Sequence, residues 1–348
     1  MNEETSMQPV QVKTRQERLL GAIQLSTMEG VEIGPLANPI VTRAAGRILY
    51  ADHASTDVLR RKYAGHGWDT ATIVDVDVDL SSRTLSAALG DRRVDFVIAS
   101  HVIEHVPDPV SWLEDLRKAL RPGGIISLAI PDKRFCFDAK RPVSTPGELV
   151  DAFLSRRTAP TVKQVFDFWA YYCQVDANAM WSGAIDAEQL PCSGTLQNAL
   201  QKSQEAVTAT GYTDVHCWVF TPHSFLEAAA TLAELEMFPF QLADFASTSP
   251  GEVEFFVSLM RIEGTESEQE RANRVRSLRA AALEAASAPG PSRPQPPESP
   301  APSPPESPAP SPPEWAEATL RLGRPLYRTL AQALPGVRTL RERLRPWL

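Results

Sequence analysis

The sequence predicts an α/β protein with a largely parallel sheet covered by helices on both faces, and three observations carry that prediction. Short apolar runs recur at 31–33, 47–51, 71–76, 95–99 and 125–130. Each is too short for a helix, and continuous apolar runs of this length suit strands buried on both faces. Between the last two, Val110, Leu113, Leu116 and Leu120 recur at helical spacing, with Asp108 or Pro109 to start the helix and Pro122-Gly123-Gly124 to stop it. Strands alternating with helices imply crossover connections, and these make neighbouring strands parallel.

Taken in order, residues 1–13 form a polar tail expected to be disordered, and 14–28 carry Leu19, Leu20, Ile23 and Leu25 near one helical face. The strand rhythm then runs to Pro131 and fades. From about 133 to 211 it gives way to aromatic helical patches, Phe166, Phe168, Trp169, Tyr171 and Tyr172 among them, which read as a helical cap inserted into the domain. These aromatics are expected to form the core of the cap. Residues 216–220 and 252–260 have strand character, with a helix expected over 224–235, and they close the sheet near 263. A charged helical arm follows over 264–288. The repeat PPESPAPS within 289–314 forbids helix and favours an extended polyproline spacer, a disordered linker. The last segment, 315–348, places Leu322, Leu326, Leu330, Leu340 and Leu344 among arginines, a basic amphipathic helix suited to an anionic membrane surface or a protein partner.

Composition narrows the classes. With 43% hydrophobic residues in 348, the chain has material for a real core. A formal net charge of -8 argues against a nucleic-acid partner, which calls for a basic footprint. Cys136, Cys173, Cys192 and Cys217 form no CxxC pair, so neither a zinc ribbon nor a disulfide framework is expected. The start of the chain lacks the apolar stretch of a secretory signal, and no run reaches the ~18 apolar residues of a membrane span. A cytoplasmic protein is expected, membrane-peripheral at most through 315–348.

The chemistry begins at Gly30-Val31-Glu32-Ile33-Gly34-Pro35, which sets an acid and a bare glycine at the carboxyl end of the first strand. In doubly wound sheets, ligands sit beyond those carboxyl ends. The second strand runs out at Asp52, where a carboxylate can accept hydrogen bonds from two ribose hydroxyls. The fourth strand leads into Asp95-Phe96-Val97…Glu104-His105-Val106-Pro107-Asp108-Pro109, and the following helix ends in Leu120-Arg121-Pro122-Gly123-Gly124.

This order and spacing resembles the class I S-adenosylmethionine-dependent methyltransferases, type 11-like, over about residues 31–132. The run Trp218-x-x-Thr221-Pro222-x-Ser224-Phe225 is similar to a subgroup associated with polysaccharide clusters. The resemblance implies a Rossmann-like methyltransferase sheet with a helical cap, S-adenosyl-L-methionine as cofactor, and methyl transfer to a small-molecule or glycan acceptor, most simply at oxygen. It implies that Glu32, Gly34 and Pro35 line the methionine and ribose portion, that Asp52 holds the ribose hydroxyls, and that Asp77, with Asp79 as the fallback, lies by the adenine. Ser100 and His101 would line the pocket near the sulfonium.

Gly34 stands alone where such loops carry several glycines, and the interval to the second strand leaves little room for a first helix. A nicotinamide oxidoreductase would need that helix to cradle a pyrophosphate; S-adenosylmethionine has no phosphate. Two rivals nonetheless follow from the residues, an NAD(P)-dependent oxidoreductase and a non-catalytic methyltransferase-like binding module. A hydroxyl acceptor calls for a general base, and His101, His105 and His216 are the candidates. His101, Glu104 and His105 stand at i, i+3 and i+4, which would bring them onto one helical face; the resemblance makes a metal site conceivable, since some methyltransferases hold a divalent ion at a Glu-x-x-Glu-His position, where His101 here replaces the first glutamate. The simpler expectation is no metal, with Glu104 and His105 fixing the turn into the next helix. Asp132, Lys133 and Arg141 follow the fifth strand and Trp218 sits beside His216, so these are the candidate substrate-binding residues.

Overall fold

The computed structural model describes residues 13–65, 69–209 and 212–287. The chain divides into two units, Met1–Pro294 and Gln295–Leu348. The second unit, the tail up to residue 12 and the whole of the Pro-rich and basic segments lie outside the described residues.

Seven strands form one sheet in the order β3-β2-β1-β4-β5-β7-β6: β1 (Glu29–Ile33), β2 (Arg47–Asp52), β3 (Val78–Asp79), β4 (Val94–Ser100), β5 (Leu120–Pro131), β6 (Phe240–Ala246) and β7 (Glu254–Arg261). Strands β1 to β5 are parallel, and β7 runs antiparallel between β5 and β6. The order reverses between β1 and β4, so the crevice beyond their carboxyl ends is the topological switch point, where such sheets bind ligands.

The two-residue period of the strands divides the core. Val31, Val97, Ile126 and Leu128 face one side, and Phe96, Ile98, Ile125 and Ala129 face the other. On the first face pack α4 (Pro109–Ala119), α5 (Pro146–Leu154), α9 (Pro222–Glu234) and α10 (Glu268–Ser287). Asp108 caps α4 by accepting from the Ser111 amide, and Pro109 occupies the first helical position, as the sequence indicated. The opposite face is covered by α1 (Arg15–Leu19), its following turns and the loop after β1. The ring of Phe96 lies across Gly30, where any side chain would collide with it.

Helices α2 (Thr56–Tyr63) and α3 (Leu85–Leu89) follow β2 and β3. The cap contributes α6 (Val162–Tyr171), α7 (Ala177–Trp181) and α8 (Leu196–Thr208), and Phe135, Ala139, Cys173, Met180 and Leu190 form a small core of their own. Among the described residues, no helix is long and apolar enough to cross a membrane.

Four expectations need correction. The helix anticipated over 14–28 stops at Leu19, because Gly21 packs where a side chain would meet Asp244 and the chain turns there. Residues 71–76 form no strand: a single 3-10 turn covers Thr70–Thr72, and the third strand is Val78–Asp79. Residues 216–220 are extended but stay out of the sheet; the amides of Cys217 and Trp218 both donate to the Glu104 carbonyl. The sheet's sixth strand is instead β6, whose buried Phe240 is followed by half-exposed positions that weaken its apolar signal. The arm after 264 is not appended, since Val275, Leu278, Ala282 and Ala285 of α10 are buried in the main core.

Candidate active site at the switch point

Gly34, the first residue past β1, has φ +69°. A Cβ there would touch only Val102 Cγ2, at 3.4 Å, so the left-handed backbone rather than crowding calls for glycine. Its amide donates to the Ala51 carbonyl at 2.9 Å, tying the bend to β2, and the buried Pro35 follows. No helix forms before β2. Glu32 holds the intervening loop instead: its two carboxylate oxygens accept from the Ile40 and Val41 amides at 2.7 and 3.1 Å. Burial outweighs those hydrogen bonds and lifts the Glu32 carboxyl above the usual range. Glu32 therefore ties the loop after β1 to the end of the strand that leads into it.

Asp52 closes β2 at its carboxyl end. The residue is 2% exposed. Its Oδ1 accepts from the His53 amide at 2.7 Å and lies 2.6 Å from His53 Nδ1, while Oδ2 is buried without a partner. An unsatisfied buried acceptor costs ~1–3 kcal/mol, so this oxygen is suited to a ligand hydroxyl. Asp79 pairs in register with Asp52 at the end of β3 and accepts from the Ser81 amide. Asp77 is a correction: it precedes β3, and its carboxylate is taken by the Tyr50 amide at 2.8 Å and by Arg43. Its fallback, Asp79, is the acid that stands at the carboxyl end of the third strand.

At the end of β4, Ser100 Oγ accepts from Arg15 Nη2 at 2.5 Å. His101 takes φ +54°, a conformation costly for a side chain with Cβ. Its amide is anchored on the Ala129 carbonyl, and its Nε2 lies 2.7 Å from Glu254 Oε2. Arg15 grips the same carboxylate, at 2.6 and 3.1 Å. Burial works against the charge on Glu254, but His101 and Arg15 outweigh it and bring its pKa down to about 2. Neither Arg15 nor Glu254 stood out in the sequence, because they are 239 residues apart and only the fold joins them.

Beside His101 opens a cavity of 410 Å³, lined by Glu104, His105 and His216 on one side and by Phe135, Phe137 and Tyr172 of the cap on the other. All three histidines singled out from the sequence meet here. His216 Nδ1 lies 2.6 Å from Asp138 Oδ2; Arg141 grips Asp138 Oδ1 at 2.7 Å and donates to the His216 carbonyl at 2.9 Å. Asp138 is held below the usual carboxylate range; its burial pushes the other way, and the His216 hydrogen bond and Arg141 charge outweigh it. His105 Nδ1 lies 2.9 Å from Asp214 Oδ1. Burial disfavours charge on His105, yet Asp214 with the nearby Glu104 and Asp138 raises its pKa above the ordinary imidazole value. The nearby His105 in turn lowers Asp214 to about 2. Of the cap aromatics, Tyr172 stacks on Phe137, whose ring is 4.7 Å from that of His216, so part of the patch expected to be cap core faces the cavity.

The four candidate substrate residues do not line that cavity, and each is committed elsewhere. Asp132 is fully buried and accepts from Arg134 and from Thr248 Oγ1. Lys133 Nζ donates to the Ala139 carbonyl, and burial lowers its pKa. Arg141 braces Asp138 and the His216 backbone, as above. Trp218 Nε1 donates to the Val106 carbonyl at 2.6 Å, holding the loop that leads into α4. A residue just past a strand's carboxyl end can fold down into the body of the domain as easily as up into the crevice, and its spacing does not tell which.

Comparison with known proteins gives the following. A curated relative, an uncharacterized 37.1 kDa protein in transposon TN4556 of Streptomyces fradiae, is 30% identical over 112 residues, 32% of this chain and 30% of that protein. The match thus spans under a third of that relative's length. Similar solved structures include an S-adenosylmethionine dependent methyltransferase from Mesorhizobium loti, 15% identical, covering 71% of this chain and 98% of that one with TM-score 0.36. The CcbJ methyltransferase from Streptomyces caelestis is 18% identical over 34% of this chain and 52% of its own, with TM-score 0.25. A family model described as a methyltransferase domain matches residues 16–232. That match takes in well over half of the chain, from within α1 to within α9: the chain belongs to the methyltransferase domain family.

Proposed function

We propose that this protein transfers the methyl group of S-adenosylmethionine to a hydroxyl oxygen of a small molecule or a single glycan residue. The observation that carries the reading is the convergence of His101, His105 and His216 on one cavity beside the end of β4. Its 410 Å³ falls in the range of small-molecule pockets, about 300–1,000 Å³.

The unpartnered Oδ2 of Asp52 fits the ribose, the bare bend at Gly34 lets the backbone approach, and Asp79 supplies an acceptor at the next strand end. Gly34, Asp52 and Asp79 would hold the cofactor, which would supply an electrophilic methyl carbon to the acceptor oxygen, with the carbon–sulfur electron pair leaving on sulfur and the hydroxyl proton passing to a base. Position is the main contribution of such a site, worth up to ~7–11 kcal/mol in well-aligned systems. His101 is placed to be that base. Its Nε2 lies 2.7 Å from Glu254 Oε2 and its Nδ1 3.7 Å from Glu104 Oε1, and the ring lines the cavity. Phe135, Phe137 and Tyr172 close the cavity with apolar surface, which limits competition from water. The loop after β1 offers no helix N-terminus for a pyrophosphate, which counts against the nicotinamide reading.

The experiment is transfer from methyl-labelled S-adenosylmethionine to a panel of sugar, polyol and phenol acceptors, with matched amines. Alkali-stable label on a hydroxyl acceptor supports the reading. Label on amines alone would overturn the oxygen assignment; cofactor binding with no transfer to the panel or to cell extracts would favour the binding module.

A further inference from the structure

Glu104 does nothing in the mechanism above, yet its setting is costly. It is 1% exposed, and neither carboxylate oxygen has a hydrogen-bond partner. A buried carboxylate needs a counter-charge or donors, and what surrounds this one is imidazole. His101 Nδ1 lies 3.7 Å from Oε1 and His216 Nε2 lies 3.9 Å from it. One ligand atom each of Glu104, His105 and His216 fall within 4.8 Å of one another.

The outer nitrogens of the same rings complete the pattern. His216 presents Nδ1 to Asp138 at 2.6 Å, whereas His105 Nδ1, 2.9 Å from Asp214 Oδ1, is buried without a hydrogen-bond partner, so the carboxylate-backed imidazole is that of His216. A carboxylate behind an imidazole fixes its tautomer and leaves the other nitrogen with its lone pair directed inward, which is how metal-bound histidines are oriented. The backbones are fixed as well: Tyr212 donates to the His105 carbonyl at 2.7 Å and Arg141 to the His216 carbonyl at 2.9 Å. Ligand atoms on one ion at ~2.0–2.2 Å stand roughly 3.5 Å apart, so side-chain movements of about an ångström would close the set.

The geometry points to a divalent transition-metal site formed by Glu104, His105 and His216, open toward the 410 Å³ cavity. This replaces the expectation that Glu104 and His105 only fix a turn. Two imidazoles and one carboxylate suit Zn²⁺, Co²⁺, Mn²⁺ or Fe²⁺ better than Mg²⁺ or Ca²⁺, which prefer oxygen ligands. The positions left by three protein ligands face the cavity and take an oxygen, either water or the acceptor hydroxyl, whose proton an adjacent cation makes easier to remove. Only that last step rests on the methyl-transfer reading; the ion site stands on the side chains alone.

The test is Co²⁺ titration of tag-free, chelator-stripped full-length protein, read by visible ligand-field absorption and by thermal shift, with S-adenosylmethionine affinity measured in parallel. Saturable Co²⁺ bands are expected, displaced by Zn²⁺, with a raised Tm. Glu104→Gln removes the buried charge and should raise the Tm of the metal-free protein while abolishing the bands. Asp138→Asn should weaken Co²⁺ binding about 10–100-fold. Absence of bands and of a thermal shift at millimolar Co²⁺, or bands that persist unchanged in both Glu104→Gln and His216→Asn, would overturn the site. Cofactor binding without Co²⁺ binding sinks the metal site alone, and Co²⁺ binding without cofactor binding sinks the methyl-transfer reading alone.

Discussion

The two ends of the crevice are built on opposite principles. At the end proposed for the cofactor, the carboxyl ends of β1, β2 and β4 present few polar groups: a bare bend at Gly34, one unpartnered oxygen on Asp52, and Ser100. At the acceptor end, Glu104, His101, His105 and His216 crowd together, with the carboxylates of Glu254, Asp214 and Asp138 behind the histidines. On the proposed function the first end would need only shape and a hydroxyl acceptor, because its ligand arrives already activated. In the proposed transfer to oxygen the second would manage a proton, and that takes titratable groups whose environments are set by one another.

Substitutions that separate positioning from proton handling break this comparison most directly. The largest effect is expected from His101→Gln, which should lower kcat by ~10²–10⁴-fold while leaving cofactor affinity unchanged, measured by steady-state kinetics and calorimetry. A matching loss of cofactor affinity would move His101 to the other end of the crevice. Asp52→Ala should do the reverse, weakening S-adenosylmethionine by ~1–3 kcal/mol. Unchanged affinity there would take Asp52 out of the site. Gly34→Ala forces a side chain into a left-handed bend, and a loss of ~1–2 kcal/mol of stability is expected in a denaturant titration.

The acid limb of stability sharpens the acceptor side. Glu254 ordinarily titrates near 4.5 and is held at about 2 in the fold, so its contribution is full above 4.5 and is lost as pH falls toward 2. Thermal melts of Glu254→Gln should accordingly show a shallower decline across that interval than the parent; parallel curves would mean that the Arg15 and His101 pairs contribute nothing. The smallest effect belongs to Lys133→Ala, for which the acceptor KM should stay within about twofold, since Lys133 donates to the Ala139 carbonyl instead of lining the cavity. A large rise in KM would restore it to the substrate site.

The legible parts of the chain are those whose signal is local. Val31, Val97 and Ile126 announce buried strands by their neighbours alone, Asp108-Pro109 starts α4 by cap chemistry, and Gly34 and Asp52 follow strand ends that can be counted. The histidines could be nominated because imidazole is the usual base near neutral pH. What they would touch could not, since His216 reaches Glu104 across a chain segment that includes the whole cap. Asp77 and Asp79 show the limit: two residues decide whether an acid tucks under β2 or stands beside Asp52, and the apolar run before them indicated the wrong strand.

By itself, then, the sequence determined the parallel sheet, the switch-point crevice and the family whose motifs surround it, because strand period, caps and turn residues act over a few positions. The tertiary structure alone decided that Glu32 braces a loop, that Asp132 and Lys133 face inward, and that Glu104 is buried among three imidazoles. Those outcomes depend on which distant groups satisfy each hydrogen bond and charge, and long-range pairing of that kind leaves no periodic trace along the chain.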